Sequence, residues 1–286
     1  MKELLDWASG QAGQARPIHH AMLNLNLWRP KSATHPAARP EGAAQPPAVL
    51  RPLLRIVVLN TKGGCGKTTL ATNLAGYYAC HGYRTALLDT DPQGSSLHWL
   101  AHRDARRATV AGIAGNERSS RVTRSFQLRV PLDTERLIVD TAAALDPPRL
   151  QELTRNADAI LIPVLPSEID IHAVSRCIAD LLLVGRMERY TERVAVIANR
   201  VKKNTLIYAK LQRFLHSLGI PFVTSLRDTQ NYVRASAAGM GIHELDARAA
   251  RDDVRDWQAL IDWLEQRQAA ERAPSSAAPP PLQPAG

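Results

Sequence analysis

A chain of 286 residues with 45% hydrophobic content is long enough for one large α/β domain with a sizeable core. Only 5% of residues are aromatic, so aliphatic side chains must fill most of that core. The formal net charge of +9 points to polyanionic partners, either nucleic acid or an anionic membrane surface. The three cysteines, Cys65, Cys80 and Cys177, are too widely spaced for a disulfide framework or a cysteine-held zinc or iron–sulfur site.

Residues 1–54 read as a disordered or partly helical extension. Met1–Ser9 has Leu4, Leu5 and Trp7 on one side of a short helix, and its two acids and lack of an apolar run do not match a signal peptide. Pro30, Pro36, Pro40, Pro46, Pro47 and Pro52 then punctuate an Ala-rich stretch that buries too little apolar area to offset its ordering entropy. Trp7 or Ile18–Trp28 is the expected docking or self-association segment. No apolar run in the chain approaches the roughly 20 residues that span a bilayer. Residues 270–286, rich in Pro and Ala, are expected to be a disordered tail.

Between these ends, residues 55–269 alternate apolar runs with amphipathic patterns. Strands are expected at Arg55–Asn60, Thr85–Asp89, Leu137–Asp140, Ala159–Val164, Val194–Asn199 and Pro221–Ser225. Most are short and continuously apolar, as strands covered on both faces are. Helices follow at Thr68–His81, stopped by Gly82; along Ile207, Leu211, Phe214, Leu215 and Leu218, stopped by Gly219; and along Val254, Trp257, Ile261 and Leu264. The alternation predicts an α/β fold with a doubly wound, mostly parallel sheet.

The first strand runs directly into Thr61-Lys62-Gly63-Gly64-Cys65-Gly66-Lys67-Thr68-Thr69, and a helix pattern follows at once. A strand, a Gly-rich loop and a helix make a phosphate-binding loop. Gly63, Gly64, Cys65 and Gly66 turn backbone N–H groups toward phosphate oxygens, and the helix start at Thr68 and Thr69 adds its positive end. Lys67 is expected to reach the β- and γ-phosphates, and the Thr68 hydroxyl to ligate Mg²⁺. Leu137-Ile138-Val139-Asp140 ends an apolar strand in an acid, placing Asp140 to hold Mg²⁺ through water. Cys65 reads as a small space-filler.

The loop has Thr61 where the common pattern has its first glycine, and carries a second lysine, Lys62. This K-G-G-x-G-K-T-T arrangement resembles the deviant Walker A loop of the ParA/MinD superfamily of P-loop NTPases. The resemblance continues at Asp89-Thr90-Asp91-Pro92-Gln93-Gly94, at Pro166-Ser167-Glu168-Ile169-Asp170, read as a loop, and at Asn199-Arg200, and it spans about Arg55 to Leu264. It implies an ATPase with ATP and Mg²⁺ as cofactors, acting as an ATP-dependent homodimer. Lys62 would serve the partner subunit's phosphates, Asp91 the attacking water and Asp89 the Mg²⁺ surroundings; Asn199 and Arg200 would contact adenine. Family members usually continue D-T-P-P after the Walker B acid, whereas here the run is Asp140-Thr141-Ala142-Ala143.

Residues 200–255 carry ten Lys/Arg against five Asp/Glu. Lys202, Lys203, Lys210, Arg213, Arg227 and Arg234 lie where the ParA-like branch contacts DNA, so non-specific, salt-sensitive DNA binding is expected. The alternative is a MinD-like membrane ATPase, which needs a basic amphipathic helix at the C-terminus. Here that helix holds Asp252, Asp253, Asp256, Asp262 and Glu265 among its arginines, so no membrane partner is expected. The segment 224–235 with Gly241-Ile242-His243-Glu244 looks like the branch that spaces protein assemblies. That resemblance implies a cytoplasmic, nucleoid-associated positioner of carboxysomes or another protein assembly, with plasmid or chromosome partition still open and an adaptor protein stimulating hydrolysis.

Overall fold

In the computed structural model, residues 52–115, 130–184, 191–217 and 219–272 are described. The chain divides into two units, 1–48 and 49–286, the first of them outside the described residues. The expected Met1–Ser9 helix, the Ile18–Trp28 docking segment and the end of the tail also lie outside them.

Among the described residues, seven strands form one sheet: β1 (Leu54–Val58), β2 (Thr85–Asp89), β3 (Val110–Ala114), β4 (Arg136–Asp140), β5 (Ala159–Val164), β6 (Val194–Val201) and β7 (Phe222–Arg227). Their order is β3-β2-β4-β1-β5-β6-β7 and every pairing is parallel. The chain leaves β1 toward β2 and β3, returns through β4, and then builds outward on the other side. The point of reversal lies beside β1, where a doubly wound sheet opens a ligand crevice at its carboxyl ends.

Among the described residues, seven α-helices cover the sheet: α1 (Lys67–Cys80), α2 (Ser95–Ala101), α3 (Pro147–Arg155), α4 (Glu168–Val184), α5 (Leu206–Ser217), α6 (Gln230–Ala237) and α7 (Ala247–Arg272). Successive strand residues point to opposite faces and each meets a core. Val57, Val139, Ile160 and Val196 pack with Leu150, Val174, Ile178 and Leu211 on one side. Ile56, Val58, Ile138 and Ile197 pack with Leu70, Leu74, Trp257 and Leu264 on the other. Double coverage is why the strands read as unbroken apolar runs rather than alternating ones.

Several expectations shift in detail. The sheet is wholly parallel, and it gains β3, a strand hidden by its Ala and Gly content. Residues Glu168–Asp170 form the first turn of α4, not a loop. Helix α7 runs to Arg272, past the expected domain end at 269. Pro163 sits in a central strand, yet β1 pairs only with Ala159–Leu161, so its missing N–H faces no ladder partner there. The Asn60 amide instead donates to the Pro163 carbonyl at 2.7 Å.

Arg136 is a buried cation that the strand pattern did not reveal. It is 0% exposed and lies against the rings of Tyr83 and Tyr78, 3.9 and 4.9 Å from their centroids. One guanidinium nitrogen donates to the Gln268 side chain at 2.8 Å and another to the Glu135 carbonyl at 3.0 Å. Gln268 in turn donates to the Pro52 carbonyl at 3.1 Å, so the residues leading into β1 and helix α7 share one polar cluster.

His243 packs edge-on against Tyr77 and Trp257, with centroids 4.8 and 5.7 Å apart. Burial, reinforced by the neighbouring His81, lowers its pKa to about 4. The unfolded ring takes up its proton near about pH 6.5, so the unfolded state binds more protons between the two values. Stability therefore falls as pH drops through that window, by as much as about 3 kcal/mol. Thermal melts at about pH 4.5 and about pH 7 should show this loss, and His243→Gln should remove most of it.

Candidate active site

The loop between β1 and α1 is held open by left-handed backbone at Gly64 and Gly66, with φ of 76° and 97°. Gly66 caps α1 without a side-chain hydrogen bond, so its first N–H groups have no local acceptor side chain. The Asn199 amide donates to the Cys65 carbonyl at 2.9 Å and braces the loop from β6. The Lys67 ammonium folds back to the Lys62 carbonyl at 3.1 Å, and the side chain is buried within the loop's curve. The Cys65 thiol is buried against the Lys62 carbonyl, and burial raises its pKa, so it is an inert filler.

At the end of β4, Asp140 accepts hydrogen bonds through one oxygen from Thr68 at 2.7 Å and Ser96 at 2.6 Å. Its other oxygen is buried and has no partner. Burial raises its pKa to about 6; nearby Asp89 adds to the rise, while the Ser96 and Thr68 hydroxyls and Lys67 oppose it. A desolvated carboxylate with an orphaned oxygen, paired with a threonine hydroxyl, suits a hard divalent cation. Among the described residues no group of three or more His, Cys, Asp or Glu is assembled around a metal position. Thr68 and Asp140 therefore fit a cation that draws its other ligands from phosphate and water. Beside Thr68 the surface opens into a cleft of about 320 Å³ lined by Thr69, Gln93, His98, Trp99 and Ser236.

Three expected site residues are placed differently. Asp89 is 0% exposed, and its carboxylate accepts from the backbone N–H groups of Asp91 at 3.0 Å, Ser96 at 2.9 Å and Leu97 at 3.2 Å. It caps α2 and shapes the turn that carries Asp91, and Oδ1 accepts only one of these three bonds. Asn199 braces the phosphate loop, and its oxygen accepts from the Arg200 N–H at 2.9 Å, which leaves one lone pair and one N–H of the amide for other partners. Arg200 lies exposed beside it at φ 52°, paired with Asp228 at 3.3 Å.

The basic residues divide. The Arg227 guanidinium, 28% exposed, is surrounded by Asp253 at 2.6 Å, Asp256 at 3.0 Å and Asp252 at 3.5 Å, so three acids of its own chain offset its charge. Lys210 pairs with Glu168 at 2.6 Å. Lys202 and Lys203 are 76% and 53% exposed and touch their acids only at 3.9 and 3.8 Å. Arg213 and Arg234 are exposed and have no carboxylate partner among the described residues. Sequence reasoning missed Ser96, whose hydroxyl reaches Asp140; its place two residues after Gln93-Gly94, at the second position of α2, was the available signal.

Lys62 reaches Asp170 of its own chain with its ammonium, while its backbone N–H donates to the Asn60 side chain at 3.0 Å. Behind the loop, a cavity of about 110 Å³ lies between Leu59, Thr61, Ala143, Leu145, Leu150 and Cys177. Ala143, the second of the three alanines after Thr141, forms part of its wall. Burial pushes the Cys177 thiol up to about 12.

A parallel sheet with a deviant Walker A loop at its switch point, a hydroxyl–carboxylate pair and a second lysine defines a P-loop ATPase of the ParA/MinD type. The chain belongs to the CobQ/CobB/MinD/ParA nucleotide-binding family, whose model matches residues 56–242. It is 30% identical over 202 residues to the maintenance of carboxysome distribution protein A of Halothiobacillus neapolitanus, covering 70% of this chain and 92% of that protein. It is 33% identical over 215 residues to the protein of the same description from Gloeobacter kilaueensis, covering 73% and 93%. Among solved structures, the ATP complex of an Asp-to-Ala variant of Cyanothece McdA matches 73% of this chain and 96% of its own at 16% identity, with a TM-score of 0.57. Among the described residues no helix is long and apolar enough to cross a membrane.

Proposed function

We propose that this chain is an ATP-dependent dimerising switch that binds DNA non-specifically and positions an intracellular cargo, carboxysomes being favoured, through adaptor-stimulated ATP hydrolysis. The observation that carries the reading is the pairing of two lysines at one loop: Lys67 buried inside it, and Lys62 at its rim, 31% exposed. The similarity to two carboxysome distribution proteins over most of their length supports the cargo.

In this reading Lys67 moves from the Lys62 carbonyl to the β- and γ-phosphates. Thr68 and Asp140 hold Mg²⁺, which when bound neutralises phosphate charge. Asp91, positioned by its N–H bond to Asp89, orients the attacking water and accepts its proton. Lys62 reaches the partner subunit's nucleotide, so two subunits close face to face as a two-fold pair. Pairing joins two sets of exposed cations, among them Arg213, Arg234, Lys202 and Lys203, and raises DNA affinity through avidity. Hydrolysis separates the pair and releases it from the nucleoid into the cytoplasm.

Co-sedimentation with DNA in ATP, ADP or no nucleotide, at two salt concentrations and beside anionic liposomes, tests the reading. The chain should pellet with DNA only in ATP, lose that binding at high salt, and stay off liposomes. Asp91→Ala should persist on DNA in ATP as a dimer. Binding indifferent to nucleotide, or pelleting with liposomes alone, would sink the proposal.

A further inference from the structure

We infer that Asp170 is a positioning residue that parks Lys62 in the unpaired subunit and so sets the threshold for ATP-driven pairing. The inference rests on the proposed service of Lys62 to a partner nucleotide and adds the element that opposes it.

The two side chains are unequal. Asp170 is 1% exposed at the first turn of α4, whereas Lys62 is 31% exposed. One carboxylate oxygen of Asp170 accepts from both the Lys62 ammonium and the Ser167 hydroxyl. The Ser167 oxygen accepts from the Asp170 N–H at 3.2 Å, so serine and aspartate cap one another at the start of α4. The second oxygen of Asp170 is buried and has no hydrogen-bond partner. The carboxylate is thus satisfied on one side only, and Lys62 is the sole cation within ion-pair distance of it among the described residues.

The backbone of Lys62 is fixed at several points. Its N–H donates to Asn60 at 3.0 Å, and its carbonyl accepts from Lys67 at 3.1 Å and the Cys65 thiol at 3.3 Å. Only the flexible four-carbon stem is left to move. Lys62 therefore has two discrete stations, the carboxylate of its own chain and the phosphates of its partner. Withdrawing it leaves Asp170 with a serine hydroxyl and the positive end of α4 as its only support, and stripping the cation from a buried pair is costly. A triphosphate, with more charge than a single carboxylate, is the stronger competitor. A subunit pair without it has nothing to draw the lysine across. Because each subunit must release its own lysine, the opposition enters twice per pair.

The test uses the full-length chain in sedimentation velocity with a non-hydrolysable ATP analogue, comparing wild type, Asp170→Asn, Asp170→Glu and Lys62→Ala. Asp170→Asn keeps the shape and removes the charge. It should form dimers at a protein concentration lower by about tenfold or more, because the binding-competent state no longer has to be extracted. Asp170→Glu restores the charge and should return the dimer constant toward wild type, which a merely structural role for the site would not produce. A wild-type circular-dichroism spectrum certifies the fold, and Asp170→Ser replaces the Asn variant if that one does not fold. A dimer constant unchanged or weakened in the neutral variant overturns the inference. Lys62→Ala separates the two levels. If it still pairs in ATP, the trans role of Lys62 fails; if it loses pairing while Asp170→Asn pairs as wild type does, only the parking role fails.

Discussion

Lys67→Ala is expected to lose ATP binding by roughly 10²- to 10³-fold, the equivalent of one or two charge-assisted bonds to phosphate. Lys67 is 7% exposed inside the loop, and among the described residues its ammonium donates to the Lys62 carbonyl. It is also the cation that eases the charge of Asp140. Its removal takes away the phosphate's main counter-charge and leaves a buried carboxylate facing a polyanion. Titration calorimetry with ATP and Mg²⁺ measures the effect directly. An affinity within a few-fold of wild type would mean that the phosphates lie elsewhere.

Gly66→Ala should be the most damaging small substitution in the site. At φ 97° a Cβ is strained whatever its surroundings, and here it would lie 2.0 Å from the Asn199 amide nitrogen. The backbone strain costs about 1–3 kcal/mol, and displacing Asn199 from the Cys65 carbonyl adds about 1 kcal/mol. We expect a loss of about 2–4 kcal/mol in the nucleotide-free protein, together with weaker ATP binding from a misshapen loop. Gly63→Ala is the control: no atom lies within 4 Å of its added Cβ and its backbone carries no positive φ. Its denaturation midpoint without nucleotide should stay near wild type. Equal losses in both variants would show that the loop tolerates no side chain anywhere, and the specific Gly66–Asn199 conflict would be wrong.

The strands and the phosphate loop were legible because they depend on local pattern. A continuous apolar run followed by Gly-rich turns and a helix period has one economical meaning. Strand β3 was not legible, since Val110-Ala-Gly-Ile-Ala has little apolar mass and lies at the sheet edge. Helix α4 was obscured by the proline and acids at its start, although Ile171, Val174, Ile178 and Leu181 all turn inward from it. The least legible features join residues distant in sequence. Arg227 looked like a surface cation until Asp253, 26 positions away, was found against it. Asn199 and Asp89 carry the residue types that a ligand site needs, but only the fold reveals that each also holds backbone groups of the site's own loops. Side-chain chemistry can be read from a sequence, whereas its availability depends on three-dimensional neighbours.

The cluster around Arg136 has an engineering consequence. Pro52, two residues ahead of β1, and Gln268, in α7, are joined by a 3.1 Å hydrogen bond. Strand β1 starts at this edge of the sheet and delivers its loop at the opposite one, so entry and exit lie together on the side remote from the phosphates. Domains whose ends meet tolerate being re-spliced. A short linker could fuse residue 272 to residue 52, with new ends opened in a surface turn, and the order of the strands along the gene would change while their order in the sheet would not.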